Sequence, residues 1–168
     1  MAWRSGANSP LGISVPGTID TSPSVAVGTV SKFYDPVQGE GTFIYLPGVA
    51  SVADGDAVVY DLNPGAQAIV RAASGTHANS GRPVAFAVGA LVASTYGWYQ
   101  IEGVAIASVL AGFAAGNLFL SATAGSVDDG AINGAQILGA RGSSAIGTPA
   151  ANKAYVTISR PHIQGQIT

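Results

Sequence analysis

Residues 83–109, PVAFAVGALVASTYGWYQIEGVAIASV, carry a single charge, Glu102, and no other follows until Asp128. So long an apolar stretch must be buried, either in a membrane or in a protein core. A spanning helix needs about 20 consecutive, mostly apolar residues and tolerates charge poorly at its centre. Here Gly89, Thr95, Tyr96, Gly97 and Gln100 interrupt one window, and Gly103, Gly112, Gly116 and Asn117 interrupt the next. From Tyr99 the chain alternates instead. Tyr99, Ile101, Ala105, Ala107 and Val109 fall on one face, while Trp98, Gln100 and Glu102 begin the other. That is the period of a strand. The stretch therefore predicts two long apolar strands joined by a short aromatic turn at Thr95, Tyr96 and Gly97.

The rest of the chain is built from shorter versions of the same pattern. Residues 24–34 alternate, with Val25, Val27 and Phe33 on one face, and Asp35-Pro36 stops them. Further strands are predicted at 42–46, 57–61, 67–73, 118–122, 136–140 and 154–159. The last, AYVTIS, is rich in β-formers, and Pro161 is expected to end it. Ala53-Asp54-Gly55-Asp56, Asn63-Pro64-Gly65 and Asp128-Asp129-Gly130 supply turns between them. Gly112 and Gly116 favour bends over a helix at 110–117. Short strands at regular spacing with turn residues between them indicate a single-domain antiparallel β-sandwich or barrel, jelly-roll-like.

Residues 1–23 differ in kind. Pro10, Pro16 and Pro23 with Gly6, Gly12 and Gly17 forbid a helix, and the apolar residues Trp3, Leu11, Ile13 and Val15 stand singly. An extended N-terminal arm is expected, too poor in apolar area to fold alone. It is followed by a β domain over 24–161 and a C-terminal tail over 162–168. No apolar leader follows Met1 to mark a secretory signal.

Composition narrows the function. Only 10% of the 168 residues are charged, against about 25% in ordinary soluble domains. The surface must then be made of small neutral residues, which resist association weakly and suit coverage by partners. A net charge of -2 offers no basic stripe for nucleic acid. Without Cys there is no disulfide and no thiolate metal site.

No constellation for catalysis emerges. Asp54, Asp56 and Asp61 are the densest carboxylates, but no acidic residue stands where a calcium loop needs its closing ligand. Their Asp-Gly context suits a turn. His77 and His162 have no neighbouring ligand at zinc spacing. A Ser-His pair lacks the Gly-x-Ser-x-Gly elbow, and no phosphate loop is present. No enzyme activity, cofactor or metal is expected. The aromatics Tyr96, Trp98 and Tyr99 offer either a recognition surface or a core plug; Tyr99 lies on the apolar face, and Trp98 fits both.

The segments ADGDAVVYD, YGWYQIEGVAIASV, AGNLFLSATAGSVDDG and QILGARGSSAIG, followed by ANKAYVTISRP, together resemble the head decoration (cement) proteins of tailed bacteriophages. The likeness lies in style and segment order from residue 24 onward. It implies a structural protein on the capsid exterior, made in the host cytoplasm. Its partner would be the major capsid protein, bound across capsomer junctions by a dimer or trimer, without nucleic acid or membrane. The arm would reach a neighbour, so that deleting residues 2–23 weakens capsid binding and leaves the β domain folded. Trp3, Leu11, Ile13, Val15, Tyr96 and Trp98 are the candidate partner interface. The alternative is a carbohydrate- or receptor-binding domain of a tail fibre or adhesin, using Tyr96, Trp98 and the polar loop 74–82.

Overall fold

A computed structural model describes residues 3–5, 12–61, 69–71 and 80–164. Their regular structure is entirely strand: β1 (Arg4–Ser5), β2 (Val30–Asp35), β3 (Gly39–Pro47), β4 (Ala57–Tyr60), β5 (Ile69–Arg71), β6 (Val84–Ala87), β7 (Tyr96–Ser108), β8 (Asn117–Leu120), β9 (Val127–Asp128), β10 (Gln136–Gly142) and β11 (Lys153–Ile163). The all-β expectation holds. Among the described residues no helix is long and apolar enough to cross a membrane. Named strands pair antiparallel in one sheet, along the path β1-β2-β3-β7-β11-β10-β8-β9. A branch leads from β7 through β6 and β4 to β5. The path does not close on itself, so the barrel alternative gives way to an open, sandwich-like sheet.

The long apolar stretch does organise the sheet. Strand β7 pairs with β3 from Tyr96 to Glu102, with β6 at Tyr99 and Gln100, and with β11 from Glu102 to Ser108. Its two halves serve different cores. Tyr99 and Ile101 pack with Ile44, Leu46 and Val58, whereas Ala105, Ala107 and Val109 pack with Phe86, Leu118 and Val156. The single face expected from alternation is thus divided. Register against β3 slips between Thr42 and Phe43, passing over Ile101, and Gly103 follows at φ 102°. A bulge with a left-handed glycine bends a strand where plain alternation would run straight.

Strands β4 and β6 explain why their sequences are apolar throughout. Ala57, Val59, Val84 and Phe86 enter one cluster, and Val58, Tyr60, Ala85 and Ala87 enter the other. Both faces are buried, so alternation disappears from the sequence. Full burial of the Val and Phe side chains among them contributes roughly 1.5–3 kcal/mol each. A third, aromatic cluster gathers Trp3, Phe33, Phe43, Tyr45, Val88 and Trp98.

Several expected boundaries move. The strand expected over 24–34 begins only at Val30, as β2, because the chain before it is held irregularly, as by the Gly28 amide on the Tyr45 carbonyl at 2.7 Å. Tyr96 and Gly97 belong to β7, and the connection lies earlier, around Gly89 (φ 115°) and Ser94 (φ 65°). Pro161 does not end β11. The register with β10 steps from Ile158 opposite Ala140 to His162 opposite Leu138, so Pro161 sits in a bulge where no ladder donor is required. Ile163 is buried and the Gln164 amide bonds the Gln136 carbonyl at 2.9 Å, so the domain continues past residue 161. The turn at Asn63, Pro64 and Gly65 and the loop residues 74–79, with His77, lie outside the described residues.

Candidate functional site

Five of the six candidate interface residues meet in one place, against the chain's own aromatic cluster. Leu11 lies outside the described residues. Trp98 is completely buried and Trp3 nearly so, while Ile13, Val15 and Tyr96 pack partly buried around them. The rings meet edge to face: Trp98 on Phe33 at 5.0 Å and on Tyr45 at 5.1 Å, Trp3 on Phe43 at 4.8 Å. The indole Nε1–H of Trp98 donates to the Ser14 carbonyl at 2.7 Å. In the single chain Trp3 and Trp98 are both interior. Aromatic side chains of this size find their apolar contacts at home when a neighbouring segment covers them.

The covering segment is the arm. Strand β1 pairs with Tyr34 and Phe33 of β2, and Asp20 exchanges backbone hydrogen bonds with Tyr96 at 2.9 and 2.8 Å. Removing residues 2–23 would strip Trp3, Ile13 and Val15 from the aromatic cluster and uncover Trp98. The truncation expected to leave the β domain intact would instead open its core.

Asp20 fastens the segment by its side chain as well. Its Oδ2 accepts from Tyr45 Oη at 2.6 Å, Ser24 Oγ at 2.7 Å and Ser14 Oγ at 2.9 Å. Desolvation acts to raise its pKa, but the hydroxyls of Ser24, Tyr45 and Ser14 together outweigh it and hold the carboxyl below the usual value. Burial first, and then the Asp20 carboxylate, push the Tyr45 phenol up. A folded-state pKa below the unfolded one gives stability that is present above about pH 4 and lost as pH falls through the lowered value. The urea midpoint is expected to drop in that acid range, with a smaller drop in Asp20→Asn. Identical pH profiles for the two proteins would remove Asp20 from acid sensitivity.

The predicted Asp54-Asp56 turn is present and spoken for. Asp56 Oδ2 accepts the Ala53 amide at 2.9 Å, and Asp54 Oδ1 accepts the Gly89 amide at 2.9 Å. No group of three or more metal-ligating side chains occurs among the described residues. Next to this turn Lys153 Nζ donates to Ser108 Oγ at 2.8 Å and to the Asp54 carbonyl, and Ser108 Oγ reaches Asp56 Oδ1 at 3.1 Å. A Ser-Lys pair at this distance can serve nucleophilic catalysis where a substrate cleft adjoins it. Here the ammonium ties the turn to β7 and β11, and the clefts at Phe119 and Gln136 and at Arg141 and Ser159 do not include it.

Alternation along β2 leaves an exposed row that the aromatic emphasis missed. Val30 and Tyr34 are 46% and 50% exposed, and Val37 in the following turn is 80% exposed. Lys32 lies between the first two and pairs with Glu40 at 2.7 Å. The signal was readable: Lys32 shares its parity with Val30 and Tyr34, which marks that face as outward. Among the described residues, strand β1 covers the neighbouring edge of β2 only at Phe33 and Tyr34.

No protein-family model, curated protein or solved structure matches this chain.

Proposed function

We propose that the chain is a structural decoration (cement) protein, which binds the outside of a viral head across capsomer junctions as a dimer or trimer and stabilises the shell. The observation that carries this reading is the outward face of the first hairpin, where Val30, Tyr34 and Val37 stand exposed in a chain only 10% charged. Exposed apolar residues on a surface short of charge favour association. The likeness to decoration proteins supplies the partner, the major capsid protein. Contacts made only in the assembled lattice stabilise it by mass action. Nothing in this role requires catalysis, a cofactor, nucleic acid or a membrane.

The glycan-binding alternative draws less support, since Trp98 is fully enclosed and Tyr96 is stacked on Tyr45 at 6.5 Å. The test is the copy number in purified particles from the source. A stoichiometry near that of the major shell protein is expected, released by mild destabilisation before the shell opens. Val37→Asp with Tyr34→Asp should lower that occupancy while shifting fold stability by about 0.5 kcal/mol or less, as exposed positions do. A handful of copies per particle, or none, would overturn the reading.

A further inference from the structure

Between Trp3 and the sheet lies a cavity of about 10 Å³, bordered by Trp3, Gln38, Asp54, Gln100, Phe86 and Ile106. Two of its lining residues each carry a buried polar atom with no hydrogen-bond partner among the described residues: Trp3 Nε1 and Gln38 Oε1. Trp3 is 5% exposed and Gln38 is 8% exposed, so bulk solvent does not serve them. Buried polar groups in native proteins are rarely left this way.

The two orphans are of opposite sense. An indole N–H only donates, and an amide oxygen only accepts. The orientation of the Gln38 amide is fixed by its other end, for Nε2 donates to the Val104 carbonyl at 2.8 Å. That carbonyl also takes Gln100 Nε2 at 3.0 Å. Turning the Gln38 amide over would set its oxygen against a carbonyl oxygen, so Oε1 stays toward the remaining acceptor role. A cation is repelled by the indole N–H, and an anion by the Gln38 oxygen. A neutral molecule that both accepts and donates fits, and the volume admits one of about water size.

We infer that the cavity is a structural water site, in which one water accepts from Trp3 Nε1–H, donates to Gln38 Oε1 and fastens the N-terminal segment to the sheet. Gln38 joins the turn after β2 to the Val104 carbonyl of β7, so the water links β1 and its Trp to the organising strand. The site acts as a polar pin beneath an otherwise apolar contact.

A crystal structure of the full chain at high resolution tests this directly. Density for one water within hydrogen-bonding distance of both atoms is expected. An empty cavity, or a direct Trp3 Nε1–H to Gln38 Oε1 bond, would overturn the inference. Trp3→Phe keeps the ring against Phe43 and removes the donor. In that variant amide exchange in β1 should quicken about fivefold to tenfold, the scale of one hydrogen bond, and the water should be lost. Retention of the water with unchanged exchange would count against the pin. If Trp3→Phe does not fold, the wild-type density decides alone.

Discussion

Trp98→Ala is expected to lower stability by about 3–5 kcal/mol, the range for truncating a large buried aromatic. For a chain of this length each kcal/mol shifts the thermal midpoint by about 2–4 °C, so the fall should be roughly 6–20 °C. Trp98 is completely buried, and its edge-to-face contacts reach both Phe33 and Tyr45. The substitution also leaves the Ser14 carbonyl, which takes the indole N–H at 2.7 Å, without that donor. Trp98→Phe separates the two effects. It keeps an aromatic ring in place and removes only the donor and part of the volume, so a loss of about 1–3 kcal/mol is expected. Scanning calorimetry on the three proteins measures both steps. A midpoint for Trp98→Ala within a degree or two of wild type would mean that the aromatic cluster does not hold the fold together. Proteolysis within residues 12–23 should accelerate in parallel, because that segment is held by the same indole.

Gly103→Ala is the second large effect, and its cause is backbone geometry. Gly103 sits at φ 102°, and a Cβ there would lie 2.7 Å from the Glu40 carbonyl oxygen and 3.1 Å from Gly41 Cα. The strained backbone alone costs of order 1–3 kcal/mol. The clash adds to this, because its partners are backbone atoms of β3 that cannot rotate away. Gly112 provides the control. It has φ 91° and nothing within 4 Å of a built Cβ, so Gly112→Ala measures strain without collision. Urea denaturation should show Gly103→Ala clearly less stable than Gly112→Ala, with similar slopes if both remain two-state. Equal losses would show that the approach of β3 to β7 is not tight.

Much of this fold was legible along the chain because strands with one or two buried faces leave a local trace. AVVY, VAFA and AYVTIS read as strands from their β-branched, aromatic and small apolar residues, and they are strands. Asp54 and Asp56 read as turn formers; Asp56 accepts the Ala53 amide within the turn, and Asp54 the distant Gly89 amide. The failures fall where one strand changes partners or direction. Tyr99 and Val109 share a parity but not a core, because Gly103 and the register slip at Ile101 intervene. Pro161 looked like a terminator and is accommodated by a bulge against Leu138 and Ala140. Alternation encodes which side of a strand a residue takes; it does not encode where the strand bends.

The aromatic residues show the same division at the candidate site. That Trp3, Ile13, Val15 and Trp98 want burial follows from their chemistry, and the sequence suffices for it. Whether that burial is supplied by another molecule or by the same chain depends on how residues 12–29 return to β3 and β7, which is a matter of long-range geometry. Here the Ser14 carbonyl reaches the Trp98 indole across 84 positions of sequence, and Asp20 reaches Tyr45 across 25. Composition and period act locally, and they suffice for the all-β class, for the turn at Asp54 and Asp56 and for the scarcity of surface charge. That the arm closes over its own aromatic core, and that Val30, Tyr34 and Val37 remain outside, follows from long-range contacts. Burial is a property of neighbours brought together by folding, and no single segment contains that information.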